Sequence, residues 1–194
     1  MSKSIITNIT LVGVGGQGIL LTSEILARAA AFSGFDVKKS EIHGMSQRGG
    51  SVSSQVRFGD IVYSPIVPEG ESDILVAFEK LEAIRCFTLL RSEGKAVIDN
   101  RDIIPVTVSS GVQTGIEERD EIIAKLYGDN AKLVDAEKIA VEVGNARCAN
   151  LVLAGALSKI LPFEVESWHN AMRSRIKESL LAVNLKAFDA GRNA

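Results

Sequence analysis

The stretch that most limits what this chain can become is its first ordered unit. A strand, Ile9-Thr10-Leu11-Val12, runs into Gly13-Val14-Gly15-Gly16-Gln17-Gly18 and then into an amphipathic helix from about Ile19 to Ser33. A helix that follows a strand through a glycine turn is the opening unit of an α/β sheet. Gly13, Gly15 and Gly18 fit the spacing G-x-G-x-x-G in the strand-turn-helix context it requires. In that context the N–H groups and dipole of the helix N-terminus favour a phosphate. The acidic ribose partner of a dinucleotide fold, expected about 20 residues further on, has two candidates. Asp36 precedes the second strand and Glu41 lies at its end. A purely structural role, in which the glycines let the helix pack tightly on the sheet, stands beside the phosphate reading.

The rest of the chain continues the alternation. Residues 36–40 read as strand two, and Val52, Val56 and Phe58 alternate with Ser53, Gln55 and Arg57 as a half-buried strand does. Gly59-Asp60 before Ile61-Val62-Tyr63 is a tight hairpin signal, which predicts a mixed sheet with an antiparallel piece at one edge. Asp73 to Ala77 and Lys95 to Asp99 read as buried strands separated by a helix from Glu79 to Leu90. Thr107 to Ser109 forms a further short strand, Glu117 to Tyr127 a helix, Lys132 to Asp135 a strand and Ala136 to about Gly144 a helix. The segment from Gly144 to Asn150 opens an apolar helix that Pro162 stops near Leu161, with Asn145 placed to cap it and Arg147 and Asn150 placed to reach a ligand. Helices near 164–175 and 178–190 complete the pattern. The expected architecture is one three-layer α/β/α domain over 1–194, with a mostly parallel Rossmann-like sheet and a β-hairpin at one edge.

Between strands two and three lies Glu41-Ile42-His43-Gly44-Met45-Ser46-Gln47-Arg48-Gly49-Gly50-Ser51, which carries an imidazole, a guanidinium, an amide and three glycines. That set suits the gripping of a carboxylate or a phosphate. Composition excludes several classes of partner. With 194 residues and 46% hydrophobic content, the chain can bury one sizeable core. A net charge of -2, spread without blocks, gives no polyanion-binding surface. Two cysteines, Cys86 and Cys148, cannot supply a cluster or zinc site, so no metal ligand set is expected in this chain. The N-terminus has no apolar signal region, and a cytoplasmic protein is expected. His169, beside Trp168 on an amphipathic helix, reads as structural.

Gly13-Val14-Gly15-Gly16-Gln17-Gly18, the run from Ser40 to Val52, Tyr63-Ser64-Pro65, and Gly144-Asn145 with Asn150 resemble, over almost the whole length, the gamma component of the 2-oxoacid:ferredoxin oxidoreductases. His43-Gly44 together with Gln47-Arg48-Gly49-Gly50 is similar to the arylpyruvate (indolepyruvate) type. The resemblance implies oxidative decarboxylation of a 2-oxoacid to an acyl-CoA, with electrons passed to ferredoxin. It also implies that thiamine pyrophosphate, magnesium and iron-sulfur clusters reside in a large alpha subunit, while this chain holds no cofactor alone and adds an active-site wall or coenzyme A channel. His43 and Arg48 become candidates for the catalytic site. Gly13, Gly15, Gly16, Gln17, Gly18, Gln47, Gly49, Gly50, Ser51, Asn145 and Asn150 become candidates for lining the wall or holding coenzyme A.

Alternatives within the resemblance are the pyruvate, 2-oxoisovalerate and 2-oxoglutarate enzymes. Outside it stand a stand-alone dinucleotide-binding oxidoreductase and a non-catalytic module that stabilises a larger enzyme. Away from its partner the chain is expected to self-associate through surface that the partner would cover.

Overall fold

Ile9, Leu11, Leu75, Val76, Val97 and Ile98, from the apolar runs, are 0–1% exposed, as strands covered by helices on both faces must be. A computed structural model describes residues 6–43, 50–104, 108, 111 and 117–194. Its strands are β1 (Thr7–Val14), β2 (Asp36–His43), β3 (Ser51–Gly59), β4 (Ser72–Ala77), β5 (Leu90–Asp99) and β6 (Ala131–Val134). The helices are α1 (Ile19–Phe32), α2 (Lys80–Arg85), α3 (Arg119–Tyr127), α4 (Ala136–Glu142), α5 (Ala149–Ser158), α6 (Val165–Arg175) and α7 (Glu178–Arg192).

The six strands form one sheet in the order β2-β3-β1-β4-β5-β6. β1, β4, β5 and β6 are parallel, whereas β3 runs antiparallel between β1 and β2. The expected mixed α/β sheet with a hairpin at one edge is therefore what forms. The hairpin itself is a different one. Ile61-Val62-Tyr63 is no strand, and β3 pairs instead with β2 and β1.

The reason lies in what holds 61–67. Asp36 Oδ2 accepts from Val62 N at 2.8 Å, Arg57 Nη1 donates to Ser64 O at 3.0 Å and Ile66 O at 2.8 Å, and Gln55 Oε1 accepts from Val67 N at 3.0 Å. Side chains, not a ladder, satisfy this backbone, so it lies over the sheet as a strap. The expected helix over 79–90 is also shorter, since α2 gives way to a 3₁₀ turn at Phe87–Leu89. The strand expected at 107–109 falls almost entirely outside the described residues.

α1, α4, α5, α6 and α7 contribute to one core cluster, centred on Trp168, Phe188, Leu151 and Ile25. α2 and α3 contribute to the cluster on the other face through Ala83, Ile123 and Tyr127. α5 and α7 cross with their backbones touching. A Cβ at Gly155 would stand 2.1 Å from Phe188 O, and one at Gly191 2.0 Å from Val152 O. At the other end of α7, Lys177 and Leu180 line one cleft with Cys148 and Asn150 at the start of α5.

Candidate functional site

Parallel strands deliver their carboxyl ends to one edge of a sheet, where ligands of open α/β folds collect. Here that edge carries the glycine turn after β1 and Phe78-Glu79 after β4. Because β3 is antiparallel, its beginning at Ser51 reaches the same edge, with Val14 opposite Ser51 and His43 opposite Val52. The two glycine-rich motifs therefore meet: Gly15 N donates to Gly50 O at 2.9 Å.

The turn after β1 is locked from within. Gln17 Oε1 accepts from Val14 N at 2.6 Å, and Gln17 Nε2 donates to Phe78 O at 2.8 Å. A Cβ at Gly13 would lie 2.5 Å from Gln17 Oε1 and 2.7 Å from Phe78 Cβ, so only glycine lets that amide tie β1 to β4. Gly16 and Gly18 adopt φ of 100° and 85°. Gly18 begins α1 with no capping side chain and no acidic residue in the first turn, which leaves the positive end of the helix uncompensated.

That end opens into a cleft of about 400 Å³ lined by three segments. The turn supplies Gly16, Gln17 and Gly18, the start of α5 supplies Asn145, Arg147, Cys148 and Asn150, and the junction of α6 with α7 supplies Arg175 and Lys177. Three helix N-caps thus face one space: Gly18 of α1, Cys148 of α5 and Lys177 of α7, none with a side-chain cap. Among the described residues, three cations and no carboxylate line the cleft. Among the described residues, Arg147 and Lys177 make no ion pair. Arg175 Nε binds Glu24 Oε2 on α1, and this bond is the chief cause holding the Glu24 carboxyl below its usual range.

The cleft's amides have local duties too. Asn145 Oδ1 accepts from Arg147 N at 3.0 Å and so caps the 3₁₀ turn before α5. Asn150, 5% exposed, lies against the turn, its Nδ2 2.8 Å from where a Gly18 Cβ would be. Thr22 Oγ1 donates to its carbonyl oxygen at 3.4 Å. Burial pushes the Cys148 thiol above its ordinary pKa and keeps it protonated.

On the far side of the Gly15-Gly50 contact the character reverses. Ser51 Oγ donates to Glu82 Oε2 at 2.6 Å, and Arg85 Nη1 donates to Glu82 Oε1 at 3.1 Å. Glu79 caps α2 by accepting from Leu81 N at 2.9 Å and from Glu82 N. Burial raises its pKa despite these bonds. The edge thus offers a cationic cleft on the α1 face and a carboxylate pair beneath the exit of the loop.

Of the candidates taken from the sequence, Gly13, Gly15, Gly16, Gln17, Gly18, Gly50 and Ser51 assemble at this edge, and Asn145 and Asn150 join them across the cleft. His43 ends β2 at the same edge. Gln47, Arg48 and Gly49 lie outside the described residues. Arg175, Lys177 and Glu82 were not singled out from the sequence. The first two were visible as basic residues at the break between the last two helices, the signal of a junction rather than of a site. Glu82 at the third position of a helix reads as a capping residue until the structure turns it toward Ser51. Asp36 lies at the opposite edge of the sheet, bound to Lys38 and Val62 N, far from any ligand at the turn.

Comparison with known proteins identifies the family. Residues 8–194 match the family described as pyruvate ferredoxin/flavodoxin oxidoreductase. The chain is 42% identical over 188 residues to indolepyruvate oxidoreductase subunit IorB of Pyrococcus horikoshii, covering 95% of this chain and 93% of that protein. It superposes on the gamma subunit of a keto/oxoacid ferredoxin oxidoreductase from Geobacter sulfurreducens with a TM-score of 0.71, at 25% identity and 96% coverage of both chains. A 2-oxoglutarate:ferredoxin oxidoreductase from Magnetococcus marinus, solved with 2-oxoglutarate, coenzyme A and succinyl-CoA bound, shares the fold at a TM-score of 0.75 and 23% identity. There the match spans 97% of this chain and 30% of the longer one. The chain belongs to the pyruvate ferredoxin/flavodoxin oxidoreductase family and is a subunit of an oxoacid:ferredoxin oxidoreductase.

Proposed function

We propose that the oxoacid is an arylpyruvate of the indolepyruvate kind, and that this chain, acting as one gamma-type domain, holds the phosphate end of coenzyme A in its cationic cleft. The observation that carries the second part is the convergence, among the described residues, of the uncapped starts of α1 and α7, the Asn145-capped turn into α5 and three cations on a cleft with no carboxylate in its lining. Coenzyme A is the substrate that carries phosphates, a pyrophosphate and a ribose phosphate, and the donor set suits both. The arylpyruvate reading rests on the 42% identity to an indolepyruvate subunit, against 23% to the enzyme that binds 2-oxoglutarate.

A chain with two cysteines does not make a four-thiolate cluster. In this reading, which rests on the family resemblance, thiamine pyrophosphate, magnesium and the clusters are carried by a large alpha subunit, which passes the electrons to ferredoxin. This chain supplies a wall: the edge at His43, Gly50 and Ser51 faces the reacting centre, and Arg48 grips the oxoacid carboxylate or a phosphate.

The test is reconstitution. With its large subunit the chain should support coenzyme A-dependent reduction of ferredoxin or a viologen dye, fastest with indolepyruvate, whereas either chain alone should not. Arg147→Ala and Lys177→Ala should each raise the KM for coenzyme A about tenfold with kcat little changed, the loss of one charge-assisted contact. Arg48→Lys should lower activity by a similar factor, because an ammonium cannot reproduce a two-point grip. His43→Gln should alter the pH profile if His43 transfers a proton and leave it unchanged if it only positions. Wild-type constants for Arg147→Ala and Lys177→Ala together would remove the cleft from coenzyme A binding, and a preference for pyruvate or 2-oxoglutarate would overturn the substrate.

A further inference from the structure

We propose that Glu24 is a positioning residue for coenzyme A specificity: by holding Arg175 across the gap between α1 and α6, it fixes a guanidinium at the cleft that selects a ligand bearing an additional phosphate. The inference rests on the cleft being the coenzyme A site. Glu24 does not itself line the cleft. Its Oε1 accepts from Arg28 Nε at 3.2 Å and Nη2 at 2.9 Å, while its Oε2 accepts from Arg175 Nε. Arg28 Nη1 also reaches Ser174 Oγ at 3.3 Å, one residue before Arg175, so α1 grips the end of α6 at two points.

The geometry assigns roles within the guanidinium. Nε is the atom bound by Glu24, and Arg175 lines the cleft. With Nε engaged, the two Nη groups remain as a fork for phosphate oxygens. Arg175 ends α6, and its side chain is 47% exposed, so without Glu24 it would sample many rotamers. As a contribution to stability such an exposed pair is worth little. Its value is in orientation, which is a different quantity from the strength of the bond.

The proposal makes a forecast opposite in sign to plain electrostatics. Removing a carboxylate beside a cationic cleft raises the local positive potential, which by itself would tighten an anion. If orientation governs, Glu24→Gln instead weakens the ligand with the larger phosphate set. In the enzyme reconstituted with its large subunit, Glu24→Gln should raise the KM for coenzyme A about three- to tenfold at unchanged kcat, the effect of a misplaced rather than deleted contact. The KM for dephospho-coenzyme A, which lacks the ribose phosphate, should change less, so the ratio of the KM for coenzyme A to that for dephospho-coenzyme A rises. Glu24→Asp should recover part of the discrimination. Glu24→Gln combined with Arg175→Ala should be no worse than Arg175→Ala alone, because the two act through one guanidinium.

Glu166→Gln, which breaks an ion pair with Arg173 on the same helix but outside the cleft, is the control and should leave both KM values alone. Binding of both ligands to each reconstituted variant, measured by calorimetry, gives the same comparison without turnover. An unchanged or lowered KM for coenzyme A in Glu24→Gln, or additive effects in the double variant, would overturn the inference. If Arg175→Ala raises the KM and Glu24→Gln does not, only the inference fails. If Arg147→Ala, Lys177→Ala and Arg175→Ala are all silent, the coenzyme A assignment fails with it.

Discussion

At Gly13 the chain has no room for a methyl group, and the reason is a single amide. Gln17 fills the space a Cβ would need while it bonds Val14 N and Phe78 O, so Gly13→Ala forces Gln17 out and exposes two backbone groups to an unmet demand. The expected cost is about 1–3 kcal/mol in urea denaturation, the range of an overpacked core. Gly16→Ala meets no neighbour but must hold φ near 100°, so about 1–2 kcal/mol of backbone strain is expected without loss of the Gln17 bonds. Asp99, 3% exposed at the end of β5, gives a pH signature. Burial pushes its carboxyl up to about 6, although Arg101 and the Ala136 N–H favour the charged form. Unfolded, the carboxyl titrates near its ordinary 3.8. Between the two values the native chain keeps a proton that the unfolded chain has lost, so stability falls as pH rises through this window and stays reduced above it. The contribution is on the order of 1–3 kcal/mol. Asp99→Asn retains an acceptor for Ala136 N and should flatten this slope, and urea midpoints measured across about pH 4 to 7 would show it. An unchanged slope would assign the pH dependence to another group.

Elements add a demand that no single residue reveals. α5 and α7 touch through Gly155 and Gly191, each facing a carbonyl of the other helix. Gly155→Ala or Gly191→Ala should push the helices apart at the upper end of the roughly 1–3 kcal/mol typical of overpacking, lowering the Tm. Because the same two helices carry Cys148 and Lys177, the KM for coenzyme A should rise in parallel if the protein still folds. An unaffected Tm would mean that the crossing is looser than the described contact. The elements themselves were largely legible in the sequence, since β1, β4 and β5 are clear apolar runs and β1, α3 and α4 run into glycine. What the sequence could not convey was pairing. Gly59-Asp60 has the chemistry of a hairpin turn, but Asp36, Arg57 and Gln55 bond the following backbone and outcompete the ladder. The site was legible as two glycine motifs and a pair of asparagines. Their meeting with Arg175 and Lys177 depends on how α6 and α7 fold back on α1, a contact between residues more than 150 positions apart that no local spacing encodes.

On the scale of the molecule, the strap over the sheet leaves Tyr63 89% exposed, with Ile61 and Ile66 each 52% exposed, although its backbone is firmly bonded. A contiguous apolar crest on an ordered backbone is costly to leave in water. The isolated chain should therefore self-associate as concentration rises, and light scattering should show Tyr63→Ser to weaken the effect. A strict monomer at every concentration would refute this. No described helix is long and apolar enough to cross a membrane. The position of β3 has a different consequence. In a dinucleotide-binding sheet, the strand after the first helix lies beside the first strand, and the acid at its tip grips the ribose about 4.8 Å to the side. Here β3 occupies that place, and Glu41 of β2 sits two strand spacings away, roughly 9.6 Å. A ribose reaching sideways from the turn would meet the protein's own backbone. The glycine spelling survives in this chain without the neighbour that would make it an NAD site, and an excess of NAD should leave the coenzyme A titration of the assembled enzyme where it was.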